Sequence, residues 1–149
     1  MIEKVREIKS DELNQLLHLN KHLNPDDTEL IIDERIKGIW KEILENPNHF
    51  CLGIEEDGMI ITSCMLIIIK NLTRNARPFA LIENVVTHER YRKKGYGTAV
   101  LQKAITIAKE KNCNKIMLMT SRKEESTLKF YEKLGFKRGD KTAFIIRVE

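Results

Sequence analysis

The sequence predicts a mixed α/β domain: a central, mostly antiparallel sheet with helices on both faces, in the order β-α-α-β-β-β-α-β-α-β-β. Three observations carry this. Glu56-Asp57-Gly58 is a tight-turn triplet set between two apolar runs, which is a hairpin signal. The strand-like run from Phe79 to Thr87 passes through a glycine-bearing turn into an amphipathic stretch and then into the short apolar run KIMLMT. That is a β-α-β unit, whose strands are parallel with a right-handed crossover. Two helical patterns precede the hairpin, so the chain alternates rather than segregating its helices and strands.

In chain order, Glu3 to Ile8 reads as a short strand. Ser10-Asp11-Glu12 opens a helix: Ser10 is a candidate cap, and the acids suit the positive end of the dipole. Leu13, Leu16, Leu17 and Leu23 supply its buried stripe, and Asn24-Pro25 breaks it. A second helix is expected from about Thr28 to Leu44, with Ile32, Ile36, Ile39, Trp40 and Ile43 at helical spacing, ended by Asn46-Pro47-Asn48. His49 to Glu55 and Met59 to Lys70 are the strands of the hairpin. Asn71 to Pro78 is a polar, basic loop, and Phe79 to Thr87 is the next strand. The periodic run from Thr98 to Lys111 is a helix, Lys115 to Thr120 a strand, and Glu124 to Leu134 a helix ended by Gly135. Phe136 to Glu149 is expected to add two strands around Gly139-Asp140.

The 149 residues read as a single domain, 1–149, long enough for one core. No apolar run approaches the roughly 20 residues of a membrane span. The opening MIEKVREIKS lacks the apolar centre of a signal peptide, so a cytoplasmic protein with no membrane partner is expected. Cys51, Cys64 and Cys113 are scattered and odd in number, which fits free thiols in a reducing compartment. The net charge of +4 conceals an asymmetry. Residues 1–60 carry 7 Lys and Arg against 14 Asp and Glu, whereas residues 61–149 carry 19 against 8. A basic second part suits an anionic ligand. Nucleic acid is not expected, because the cations follow no single helix face and no aromatic stacking platform or zinc-finger spacing accompanies them.

The charge is densest in RYRKKGYGTAVLQKAI, Arg90 to Ile105, where four cations precede two glycines at the mouth of a helix. With Thr87 ending a strand and Thr98 starting a helix, Arg92 to Gly97 is the turn between them. The first turn of a helix presents unpaired N–H groups and the positive dipole end. Gly95 and Gly97 let backbone approach a phosphate closely, and Arg92, Lys93 and Lys94 add charge. This reads as a pyrophosphate cradle. The nucleoside-triphosphatase loop G-x-x-x-x-G-K-[ST] is absent. A dinucleotide fingerprint lacks its third glycine, where Val100 stands.

ENVVTHERYRKKGYGTAVLQKAI, a following strand and then FYEKLGF together resemble the GNAT superfamily of acyl-CoA-dependent N-acetyltransferases. The R-x-x-G-x-G signature falls on Arg92, Gly95 and Gly97, and Phe130 to Phe136 matches the family's last helix and its exit. The resemblance implies a GNAT-like fold and acetyl-CoA as co-substrate, with no metal. Backbone of Val85, Val86 and Thr87 would pair with the pantetheine arm. Amides of Lys93, Lys94, Gly95, Tyr96, Gly97 and Thr98 would hold the pyrophosphate. Tyr131 matches the tyrosine that faces the thioester sulfur; a phenol, with an ordinary pKa of about 10, suits protonation of a leaving thiolate. The alternative for Tyr131 is a core aromatic packed beside Phe130. Glu83 stands where the family often has an acid and is the candidate base; a carboxylate that only bonds neighbouring backbone is its alternative. Glu124 and Thr127 replace an Asn and an Ala common in the family, so Ser126 or Thr127 is the candidate for that coenzyme contact.

The family resemblance further implies a primary amine as acceptor, of amino-sugar or aminoalkyl type, attacked directly; no Cys adjoins the motifs to carry an acyl group. A protein or peptide N-acetyltransferase and a non-catalytic acyl-CoA-binding module are the rival readings, and a homodimer is a candidate assembly. In the loop NLTRNARP, Arg74 and Arg77 are candidates to grip an acidic acceptor, with solvated loop arginines as the alternative. His18 and His22, four apart, are candidates to face the acceptor; they lack further ligands for a metal. The acidic first part of the chain favours a cationic acceptor instead, and both remain open.

Overall fold

A computed structural model describes all residues, 1–149, and no helix in it is long and apolar enough to cross a membrane. The chain forms two compact units, residues 1–117 and 118–149. The elements are β1 (Arg6–Glu7), α1 (Leu13–Asn20), α2 (Glu34–Glu45), β2 (His49–Glu56), β3 (Met59–Ile69), β4 (Phe79–Thr87), α3 (Tyr96–Glu110), β5 (Ile116–Leu118) and α4 (Glu125–Lys133). The mixed α/β class and the order through α4 are as expected. The five strands form one sheet in the order β1-β2-β3-β4-β5.

Sheet register follows from turn chemistry and burial. Asp57 and Gly58 both adopt positive φ, 52° and 77°, which matches the twist of a two-residue hairpin between β2 and β3. Gly53 lies where the sheet tolerates no side chain: a Cβ there would sit 2.9 Å from the Thr62 carbonyl oxygen. β3 is the central antiparallel strand, paired with β2 on one side and β4 on the other. Met65 packs into a cluster with Leu13, Leu16, Trp40 and Ile43, while its neighbour Cys64 turns its thiol to the Val100 carbonyl of α3. Adjacent strand residues face opposite sides, so α1 and α2 cover one face and α3 the other.

The β4–β5 junction enters as a parallel pair. Asn114 donates to the Pro78 carbonyl (2.9 Å) and Ala80 to the Lys115 carbonyl (3.0 Å), so partners advance together along both strands. β5 has three residues against nine in β4, and is shorter than the Lys115–Thr120 strand expected.

Other boundaries differ for identifiable reasons. Ser10 does not cap α1; residues Ser10–Glu12 form a 3-10 turn closed by the Glu12 carboxylate, which accepts from the Lys9 N–H (2.7 Å). Ser10 instead offers its carbonyl to the Trp40 indole N–H (3.0 Å). The second helix starts not near Thr28 but at Glu34, because the Asp33 carboxylate accepts from the Ile36 N–H (3.0 Å) and caps it there. Ile32 is therefore outside the helix, and Ile39 is exposed. α3 begins two residues before the expected Thr98, so Gly97 lies inside its first turn.

In the second unit, α4 is followed by Gly135 at φ 104°. Arg138 holds Glu125 through both carboxylate oxygens (3.0 and 3.1 Å) and Glu132 at 2.6 Å. The two strands expected within Phe136–Glu149 are not formed: no strand follows α4, and Phe144, Ile146 and Val148 are exposed. Their alternating pattern suits a strand, but a strand needs a neighbour for its N–H and C=O groups, and none pairs with them.

Candidate active site

β4 is interrupted where the candidate base stands. Ser63 pairs with Val86 and Met65 with Glu83, so two residues of β4, Asn84 and Val85, oppose the single Cys64. Asn84 adopts φ 54°, which Asn tolerates better than most side chains. This is a β-bulge, and a bulge re-aims the strand beyond it. Glu83 is half-buried just before the bulge, in register with Met65. The Asn84 carboxamide donates to Met65 Sδ (3.0 Å).

Past the bulge the peptide groups alternate. The His88 N–H donates to the Ile61 carbonyl (2.8 Å), and the Val86 carbonyl accepts from the Thr62 hydroxyl (3.0 Å). Both therefore turn toward β3, and by the period of two Val85 and Thr87 turn their peptide groups to the other edge. Thr87 Oγ1 bonds Thr62 Oγ1 (2.9 Å), which locks the strand end.

The turn after β4 is built for a close backbone approach. Lys93 and Gly95 adopt φ 61° and 91°, and Gly95 is the residue at the N-terminal boundary of α3. No side chain caps that terminus and no acid stands in its first turn. The first N–H groups of a helix have no intrahelical acceptor, so Tyr96, Gly97 and Thr98 present donors at a positive dipole end. Arg92 plays a different part: Nε donates to the Thr87 carbonyl (3.1 Å) and Nη2 to the His22 carbonyl (3.4 Å). The Lys94 ammonium sits 5.6 Å from the Tyr91 ring centre. An aromatic chain runs from Tyr96 to Tyr91 (5.8 Å), to His88 (5.7 Å) and to His22 (4.2 Å). Loss of hydration first, and then the neighbouring His22, push the His88 imidazole below its ordinary range.

A cavity of about 540 Å³ opens beside this strand, and it reaches β4 at Asn84. α1 and the turn after it supply one wall, with His18 among the lining residues, and the segment from Asp27 to Ile32 supplies another. His22 does not line it; its ring lies against His88. Arg77 is committed elsewhere, donating to the carbonyls of Asn112 (3.1 Å) and Cys113 (2.9 Å) beyond α3. Arg74 is exposed in a left-handed turn at φ 53°. Neither arginine lines the cavity.

The remaining candidates belong to the second unit. Tyr131 is half-buried on α4, its ring edge-on to Phe130 (5.1 Å) and Phe136 (6.2 Å). Thr127 is half-buried in the first turn of α4, where its N–H donates to the Glu124 carbonyl (3.0 Å); Ser126 is exposed.

The model of the acetyltransferase (GNAT) family matches residues 10–136, which takes in β4, the glycine turn and α4. The chain belongs to the acetyltransferase (GNAT) family. Among solved structures, a candidate acetyltransferase of Agrobacterium tumefaciens str. C58 is 40% identical and superposes with a TM-score of 0.90, covering 97% of this chain and 99% of that one. Glucosamine 6-phosphate N-acetyltransferase of Trypanosoma brucei brucei is 40% identical over 80 residues, 54% of this chain and 52% of that protein. Streptothricin acetyltransferase A of Bacillus subtilis is 45% identical over 62 residues, 42% of this chain and 36% of that protein. The chain thus matches about half or less of the length of these curated relatives.

For a member of the GNAT family, the residues of the glycine turn fit a coenzyme A pyrophosphate: the fit rests on an uncapped helix terminus and on Gly95 in a conformation that side chains resist. Asn84 and the Asp27–Ile32 segment are the parts that sequence reasoning missed. Asn within an otherwise β-forming run was the one available signal for the bulge.

Proposed function

We propose that this protein transfers the acetyl group of acetyl-CoA to a primary amine of a small molecule by direct attack, with residues 1–149 acting as one catalytic domain. The observation that carries this is the β4–α3 junction, where a left-handed Gly95 opens an uncapped helix end toward an anion. The amide N–H groups of Tyr96, Gly97 and Thr98 hold the pyrophosphate. The outward peptide groups of Val85 and Thr87 are those available to the pantetheine arm, whereas the Val86 carbonyl is already bonded to Thr62.

The chemistry needs a neutral amine. An ammonium first loses a proton, with Glu83 as the proposed acceptor, directly or through water. The nitrogen lone pair then forms a bond to the thioester carbonyl carbon, and the carbon–sulfur bond breaks. The departing thiolate takes up a proton, with Tyr131 as the proposed donor, and the new amide nitrogen releases its surplus proton to solvent. The cysteines support direct transfer. Burial raises the Cys51 thiol to about 11 and the Cys64 thiol to about 12, so neither supplies a thiolate at neutral pH.

The test is a thermal-shift comparison followed by turnover. Acetyl-CoA at about 100 times its dissociation constant is expected to add about 2.7 kcal/mol to folding stability, and an amine panel is expected to release free coenzyme A. Stabilisation by NAD or ATP in place of acetyl-CoA would overturn the reading. Stabilisation by acetyl-CoA with no release across the panel would make the protein a binding module instead.

A further inference from the structure

Resting on the reading of the protein as an N-acetyltransferase, the structure assigns the cavity beside Asn84 to a hydroxyl-rich acceptor that carries a second positive charge besides the amine acetylated. A phosphorylated amino sugar is not the acceptor that this cavity selects. Its place is the first reason: it meets β4 at the residue after Glu83, the proposed proton acceptor. Its volume, about 540 Å³, is within the usual range for small-molecule sites, roughly 300–1,000 Å³.

The lining is the second reason. Asn14, Asn20, Asn24 and Asn84 present four carboxamides, and Thr28 adds a hydroxyl. Carboxamides donate and accept, which is what a ring of sugar hydroxyls requires. No arginine lines the cavity, and its single lysine, Lys21, already holds Glu29 at 3.1 Å. Phosphate recognition uses free guanidinium or ammonium groups, or helix N-termini. Here the helix end is of the opposite sign. Asn20, Lys21 and Asn24 come from the C-terminal end of α1 and the turn beyond it, where the dipole is negative.

Charge balance is the third reason. Asp27 and Glu29 face one lysine across the lining, and the Lys21–Glu29 pair leaves Asp27 to set the sign. The two arginines that would suit an acidic acceptor are spent or turned away: Arg77 on the carbonyls of Asn112 and Cys113, and Arg74 in its exposed turn. An aminated sugar with two or more ammonium groups meets carboxylate and carboxamides together. A phosphate in the same place would meet Asp27 with no free cation to offset it.

The experiment compares neamine, glucosamine and glucosamine 6-phosphate as acceptors, reading coenzyme A release, beside titration calorimetry of the same three compounds on the protein saturated with coenzyme A. Neamine is expected to show a KM at least about tenfold below that of glucosamine 6-phosphate, with glucosamine between them. Asp27→Asn, in an exposed segment, is expected to raise the neamine KM about three- to fivefold, as for other exposed ion pairs, and to leave the acetyl-CoA KM and the melting temperature unchanged. Equal or better use of glucosamine 6-phosphate, or an unaltered neamine KM in Asp27→Asn, would overturn the assignment. Absence of release with all three removes the acetyltransferase reading itself. In that event calorimetry decides the cavity separately: tighter binding of neamine than of the phosphate upholds the charge selection, and the reverse order or no binding of either ends it.

Discussion

The Arg92 guanidinium donates through Nε to the Thr87 carbonyl at 3.1 Å, and its Nη2 reaches the His22 carbonyl at 3.4 Å. One side chain thus ties the end of β4 to the turn after α1, and it fixes the loop that leads into α3. The first residue of the R-x-x-G-x-G signature is here a brace for the glycine turn, with its charge a secondary asset.

From this brace follows a distinction between shape and charge. Arg92→Lys keeps the positive charge but loses the planar fork that spans two carbonyls. Both Arg92→Lys and Arg92→Ala are expected to weaken acetyl-CoA binding by about 1 kcal/mol or more, a roughly fivefold change, and to lower the melting temperature of the ligand-free protein. Calorimetric titration checks the first and a thermal melt the second. Parent-like affinity in the lysine variant would mean that charge alone matters.

Gly95 and Gly97 test the cradle from two directions. At φ 91°, Gly95 has room for a methyl group, since a Cβ would lie 3.9 Å from the Met1 side chain. The penalty of Gly95→Ala is therefore conformational, about 1–2 kcal/mol, and is read in the melt of the ligand-free protein. Gly97→Val places a branched side chain in the first turn of α3 and is expected to weaken acetyl-CoA binding by at least about 1.4 kcal/mol, or tenfold. A folded Gly97→Val protein with unchanged affinity would refute the cradle.

Tyr131 separates chemistry from binding. Tyr131→Phe keeps the ring contacts with Phe130 and Phe136, so fold and acetyl-CoA affinity are expected to survive. The chemical step, timed in a single turnover so that product release does not mask it, is expected to slow by roughly 10²- to 10⁴-fold. Transfer at the parent rate would return Tyr131 to the role of a packing aromatic and pass the proton to water.

Acid stability hinges on Glu12. Both carboxylate oxygens accept from Arg6 at 2.8 Å, and Oε1 also accepts from the Lys9 N–H. The Arg6 hydrogen bonds come first among the causes that hold this carboxyl at about 2, against an ordinary 4.5. Because the folded value is the lower one, the stabilisation is complete above about pH 4.5 and drains away as the pH falls toward 2. Its size is about 3 kcal/mol at neutral pH, taken as an upper bound. Glu12→Gln is expected to lower stability at pH 7 by about 2 kcal/mol and to flatten the pH dependence between 4.5 and 2. Denaturant melts across that range check it; parallel pH profiles for the two proteins would remove Glu12 from the account.

Local chemistry made much of this protein legible from its sequence. The hairpin at Asp57-Gly58, the bounds of β4 and the glycine turn into α3 all depend on residues close in sequence, through alternation, positive φ and helix-end hydrogen bonding. Helix starts were less legible, because competing caps lie within a few residues: the apolar spacing from Ile32 suggested an early start for α2, and the Asp33 carboxylate overrode it. Segments that needed distant partners were not legible at all. Phe144, Ile146 and Val148 alternate as a strand would, yet strand formation depends on a neighbour's peptide groups, and these residues stay exposed. Arg77 looked available to an acidic acceptor until the fold brought the carbonyls of Asn112 and Cys113 to it. The cavity joins Asn84 to residues from Asn14 to Ile32, more than fifty positions away, so its sign and its polarity exist only once α1 has packed against the sheet.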